Sequence, residues 1–102
     1  MEIINTDNFT EKVLDNDNLT VVDFYADWCP PCQMMGPIFE EVAKENKDIS
    51  FYKINIDNDQ SIASQYGVMS IPTFIVFENK KVKDIHIGGC SKKELEDFIL
   101  KR

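Results

Sequence analysis

Val21-Val22-Asp23-Phe24-Tyr25-Ala26-Asp27-Trp28-Cys29-Pro30-Pro31-Cys32 decides the reading of this chain. Its first half lies within Leu19 to Ala26, a run nearly all apolar or β-branched, which reads as a buried strand. Beyond it, Met35, Ile38, Phe39, Val42 and Ala43 recur at the i, i+3, i+4, i+7, i+8 spacing of an amphipathic helix from Cys32 to about Asn46. Pro37 falls inside that stripe and predicts a kink. The cysteine pair therefore sits where a strand ends and a helix begins. A helix N-terminus presents free N–H groups and about half a positive charge, which favours a thiolate over a thiol. Cys29, at or just before the first turn, is the candidate nucleophile; Cys32, one turn in, is shielded and suits a resolving thiol. A bare Cys-x-x-Cys says little, but one at a strand-to-helix junction is a strong redox signal.

Outward from this junction, short strands alternate with helical patterns. Ile3-Ile4 predicts a first short strand, and Asp7 or Asn8 opens a helix carrying Phe9, Val13 and Leu14. Ser50 to Ile56 reads as a strand, and Asp59 to Tyr66 as a short helix ending at Gly67. Thr73 to Phe77 and Val82 to Ile87 flank Glu78-Asn79-Lys80-Lys81, the pattern of an antiparallel hairpin. Ser91-Lys92-Lys93-Glu94 is a capping box opening a last helix with Leu95, Phe98 and Ile99 inward. The order βαβαβαββα is that of an α/β fold with a parallel-dominated sheet and helices on both faces.

The 102 residues suffice for one domain, taken as 1–102, with a core that needs neither disulfide staples nor a structural metal. Eighteen acidic against eleven basic residues give a net charge of −7, which argues against nucleic acid and anionic membranes as partners. No apolar run is long enough for a membrane span. Met1 to Asp7 carries no basic stretch followed by a long apolar run, so a cytoplasmic location is expected. In that reducing compartment, three cysteines point to catalysis or metal binding rather than a disulfide framework. Cys29, Cys32, His86 and Cys90 do supply the ligand types of a zinc site. Against zinc, the pair opens a long helix, and Pro30 and Pro31 remove N–H groups that commonly stabilise metal-bound sulfur. No metal and no cofactor are expected.

The stretch from Val22 to Cys32 resembles the active-site strand and loop of the thioredoxin family. So do Lys53-Ile54-Asn55-Ile56-Asp57, Tyr66-Gly67-Val68, Ser70-Ile71-Pro72-Thr73 and Gly88, in order and over essentially the whole chain. The resemblance implies the thioredoxin fold, a central mixed β-sheet of about five strands flanked by four helices. It implies a monomeric protein-disulfide reductase that cycles between a Cys29/Cys32 dithiol and a disulfide to reduce client proteins. A separate thioredoxin reductase would recycle it, since the chain holds no Gly-rich nucleotide fingerprint; whether that enzyme is NADPH- or ferredoxin-linked stays open.

Asp23, mid-strand among apolar neighbours, would cost several kcal/mol as an unpaired carboxylate. The resemblance implies a buried general base for Cys32, its pKa raised by desolvation and tuned by Lys53 across the sheet. It also implies a cis bond before Pro72, setting the Ile71 backbone beside the disulfide to pair with an extended substrate. Trp28, Pro31, Val68, Ile71, Pro72, Gly88 and Gly89 would form a flat apolar docking surface. Cys90 is read as an inert filler near that face and His86 as sheet packing. Two departures from the family pattern stand out: Pro30 replaces the usual glycine and Gln33 the usual basic residue. Pro30 removes an N–H near the thiolate and holds Cys29 extended, leaving the reduction potential open. An oxidase or isomerase on the same fold is the competing activity, but such relatives usually carry histidine between the cysteines. A non-catalytic docking module is a further alternative, disfavoured because Asp23, Pro72 and both cysteines are present.

Overall fold

The computed structural model describes residues 1–101, in which strands and helices follow one another in the expected order. β1 (Glu2–Ile3) leads to a helical turn at Thr10–Leu14, then β2 (Thr20–Tyr25), α1 (Pro30–Glu45), β3 (Ser50–Asn55) and α2 (Gln60–Gln65). β4 (Thr73–Glu78) and β5 (Lys81–Ile87) form the hairpin, and α3 (Lys92–Leu100) closes the described chain. The five strands make one sheet in the order β1-β3-β2-β4-β5. β1 and β2 both pair parallel with β3, whereas β4 is antiparallel to β2 and to β5. The sheet is thus evenly mixed rather than parallel-dominated. The departure comes from β4, which pairs antiparallel with the central β2; Asn79 and Lys80, at φ 54° and 69°, close the tight two-residue hairpin that sets β5 antiparallel as expected.

β2 lies at the centre with all six residues buried. Alternation along it sends Val22 and Phe24 to one face, against Phe9, Val13 and Ile62. Val21 goes to the other, against Met35, Phe39 and Val42 of α1 and Leu95 and Ile99 of α3. Asp23 and Tyr25 share the parity of Val21, so they point to the α1 side. Phe39 is fully buried there, edge-on to Phe51 at 5.3 Å and tilted against Phe74 at 5.7 Å.

Two helices differ from expectation. The first spans only Thr10–Leu14 and is wound with an i→i+5 bond, Asp15 N–H to the Thr10 carbonyl at 2.8 Å. The turn opens at Asn8 as read, with Lys12 N–H on the Asn8 carbonyl at 2.9 Å, and the Asn5 and Asn8 side chains each accept the other's backbone N–H, at 3.0 and 2.8 Å, the reciprocal arrangement of a capping box. α1 begins at Pro30, two residues early, since a first turn has no use for the N–H groups that Pro30 and Pro31 lack. Pro37 lies within α1, which runs on to Glu45. The capping box of α3 forms as read: Glu94 N–H donates to Ser91 Oγ, and Ser91 N–H to Glu94 Oε1. Leu95 and Ile99 are buried, and Phe98 is half-buried. Among the described residues, no helix is long and apolar enough to cross a membrane.

Candidate active site

The end of β2 and the start of α1 bring Cys29 and Cys32 together as a disulfide, with their Cα atoms 5.2 Å apart. Cys29 is the N-cap of α1 and is extended, φ −93° and ψ 109°, as a residue before proline must be. Pro30 and Pro31 offer no N–H, so the first amide of the helix is that of Cys32, which donates to Cys29 Sγ at 3.3 Å. The sequence led us to expect that Cys32 alone would be shielded. Instead both are buried, Cys29 at 2% and Cys32 at 4% exposure, so exposure does not rank them.

Opposite the pair, the Ile71–Pro72 bond is cis, as expected. The Ile71 carbonyl oxygen lies 3.8 Å from Cys29 Sγ. Gly88 takes φ +94°, a conformation open to glycine, and its N–H donates to the Pro72 carbonyl at 2.7 Å. This bond ties the end of β5 to the start of β4. Gly89 follows, its α-carbon facing Met35 of α1. Trp28 and Pro31 are exposed and Val68 and Ile71 half-buried, while Pro72 is buried, so the proposed docking residues differ widely in access.

Sequence reasoning missed three features of this region. Trp28, 66% exposed, is held by its indole N–H on Asp57 Oδ2 at 2.8 Å. Asp57 stands just past the end of β3, and strand ends in parallel pairings are where site residues gather, which was the available signal. Met34 on α1 and Met69 before Ile71 are both largely exposed. Met34 could have been noticed as an apolar residue off the helical stripe.

On the α1 side of β2, Asp23 has no exposed surface, and neither carboxylate oxygen has a hydrogen-bond partner among the described residues. Burial pushes its pKa from 3.8 up to about 7, with the Lys53 cation pulling the other way. Lys53 faces Asp23 in register across the parallel β2–β3 pairing. Its ammonium does not close an ion pair there; it sits 4.3 Å over the centre of the Tyr25 ring. Tyr25, Asp27, Cys32, Gln33 and Lys53 line a cleft of about 260 Å³. Gln33 spans its rim by donating from Nε2 to the Asp27 carbonyl at 2.8 Å.

The four residues weighed as zinc ligands do not assemble. Cys29 and Cys32 are bonded to each other, and His86 packs between the Phe74 and Phe98 rings at 6.3 and 5.4 Å. Cys90 is half-buried, its N–H on Met35 Sδ at 3.4 Å, and burial together with Glu94 raises its thiol pKa. Among the described residues, no three His, Cys, Asp or Glu side chains converge on a common point.

A disulfide that closes over one helical turn can accept two electrons and open again. That chemistry puts the chain among the thiol–disulfide oxidoreductases. Residues 1–101 match the thioredoxin family. A thioredoxin of Mycoplasmoides gallisepticum is 45% identical over 89 residues, covering 87% of this chain and 89% of that one. One of Rickettsia typhi is 45% identical over 95 residues, 92% and 90% of the two chains. One of Buchnera aphidicola is 40% identical over 93 residues, 90% and 86%. The chain belongs to the thioredoxin family, and it acts as a protein-disulfide reductase on disulfide-containing substrates.

Proposed function

We propose that Cys29 is the attacking thiolate, Cys32 the resolving thiol and Asp23 the base that serves it, with Lys53 tuning Asp23. The Cys29 thiolate attacks one sulfur of a client disulfide; a Cys29–client bond forms as the client bond breaks, and the departing client sulfur takes up a proton. Cys32 then gives its proton to Asp23 and attacks Cys29 Sγ. The Cys29–Cys32 disulfide forms, the mixed disulfide breaks, and the second client sulfur leaves as a thiolate that takes up the proton held on Asp23 to become a thiol. Two electrons have passed from the dithiol to the client. The observation that carries this reading is the Cys32 N–H directed at Cys29 Sγ at the helix start, which favours negative charge on that sulfur.

Trp28, Pro31, Val68, Ile71, Pro72, Gly88 and Gly89 form the docking surface in this reading. The Ile71 backbone beside Cys29 Sγ supports an extended client segment pairing there. The chain, residues 1–102 as one unit, works as a monomer in the cytoplasm and is recycled by a separate thioredoxin reductase. Insulin reduction driven by dithiothreitol tests the roles. Cys29→Ser abolishes turnover, whereas Cys32→Ser accumulates a mixed disulfide with the client. Trapping by Cys29→Ser in place of Cys32→Ser reverses the order of attack and refutes the assignment.

A further inference from the structure

The general base proposed above has an unusual neighbour. Asp23, Tyr25 and Lys53 lie on the α1 face of the sheet, Tyr25 two residues along the strand from Asp23 and Lys53 opposite it. A buried carboxylate facing a lysine ordinarily draws it into a hydrogen-bonded pair, because an uncompensated buried charge is costly. Here both Asp23 oxygens lack partners, and Lys53 takes part in no ion pair among the described residues. The ammonium rests on an aromatic face instead, well within the roughly 6 Å reach of a cation–π contact. Tyr25 is itself only 8% exposed and is paired with Asn55 of β3 at the end of β2, so the ring is a well-held platform.

We propose that Tyr25 is a positioning residue for the proton transfer at the dithiol: its ring holds the Lys53 ammonium in the cleft beside Asp23, close enough to steady the carboxylate but not paired with it. A direct pair would bias Asp23 toward the ionised form, a poorer proton acceptor; a lysine released to water would bias it toward the protonated form. The ring keeps the cation between these limits. Burial first, then the Asp27 and Asp23 carboxylates, pushes the Tyr25 hydroxyl upward, so the platform stays neutral. The cleft that Tyr25 and Lys53 line also takes Cys32 and Gln33 from α1 and Asp27 from the loop after β2, and β4 sets Phe74 in register with Asp23, with His86 beyond it on β5.

The inference rests on Asp23 as the base, but its test reads Asp23 directly and does not depend on turnover. The carboxyl of Asp23 is titrated by carbon NMR in the oxidised protein and in variants of Tyr25 and Lys53. Tyr25→Phe keeps the ring and leaves the midpoint in place. Tyr25→Leu removes the platform, frees Lys53 to solvent and raises the midpoint by about half a unit, roughly a threefold gain in proton affinity. In a Lys53→Gln background the same Tyr25→Leu change has no further effect, because the cation it acts through is gone. If Tyr25→Leu fails to fold, Tyr25→Met supplies the same comparison. An unmoved midpoint in the Leu or Met variant overturns the proposal. So does an equal shift in Tyr25→Phe, or a shift that persists without Lys53. An Asp23→Asn protein that resolves mixed disulfides at the wild-type rate would refute the base assignment instead, leaving the Tyr25 result to stand on its own.

Discussion

Replacing Asp23 by Asn changes how stability depends on pH, and the structure fixes both sign and size. In the unfolded chain the carboxyl loses its proton near 3.8; in the folded, oxidised protein it holds it to about 7. Between those values the native state binds more protons than the unfolded one, so stability falls as pH rises, and the whole loss is present above about 7. Below about 3.8 both states are protonated and the group contributes nothing. The gap of about 3 pH units, at about 1.4 kcal/mol each, amounts to about 4 kcal/mol. Solvent screening takes little from this figure because Asp23 has no exposed surface. Asn is nearly isosteric and uncharged; its buried, unsatisfied amide costs about 1–3 kcal/mol, but equally at every pH. Urea unfolding of the oxidised wild type and Asp23→Asn from pH 4 to 8.5 therefore gives a difference curve free of the other carboxylates. The variant gains about 4 kcal/mol relative to wild type across that range, most of it between pH 4 and 7. A flat difference curve, or one rising only below pH 4, refutes the argument that Asp23 is held neutral by burial.

Two further outcomes concern the frame. Ser91→Ala removes one half of the reciprocal cap on α3 and costs about 1 kcal/mol, with faster hydrogen exchange at the Glu94 amide as its local sign; unchanged exchange there argues that the cap is idle. Lys80→Gly relieves a positive φ of 69° in the β4–β5 turn. It sacrifices only an exposed ion pair with Asp15, so calorimetry should find the melting point raised by up to about 1 kcal/mol in stability.

What the sequence disclosed and what it hid divide along the distance over which each interaction acts. The apolar run of β2, the stripe of α1, the Ser91 box and the Cys-x-x-Cys junction are written in residues a few places apart, and each took its expected form. Asp23 was legible as well, because a carboxylate among Val21, Val22 and Phe24 has no ordinary reason to be there. The first helix opens where read, but its i→i+5 winding over Thr10–Leu14 is not something an apolar count can see. The even mix of the sheet depends on β4 choosing β2 as its partner, which no periodicity records. The Trp28–Asp57 bond joins residues 29 apart, and the Lys53–Tyr25 contact depends on the strand register. Both required the fold first.

The start of α1 carries a consequence of its own. With Pro30 and Pro31 filling the first two helical positions, a single main-chain donor reaches the Cys29 sulfur. Substituting one proline by any other residue adds one amide to the sulfur's neighbourhood, and substituting both adds two. Backbone donors at this helix start are thus set by how many prolines occupy its first turn, a count fixed in the covalent chain.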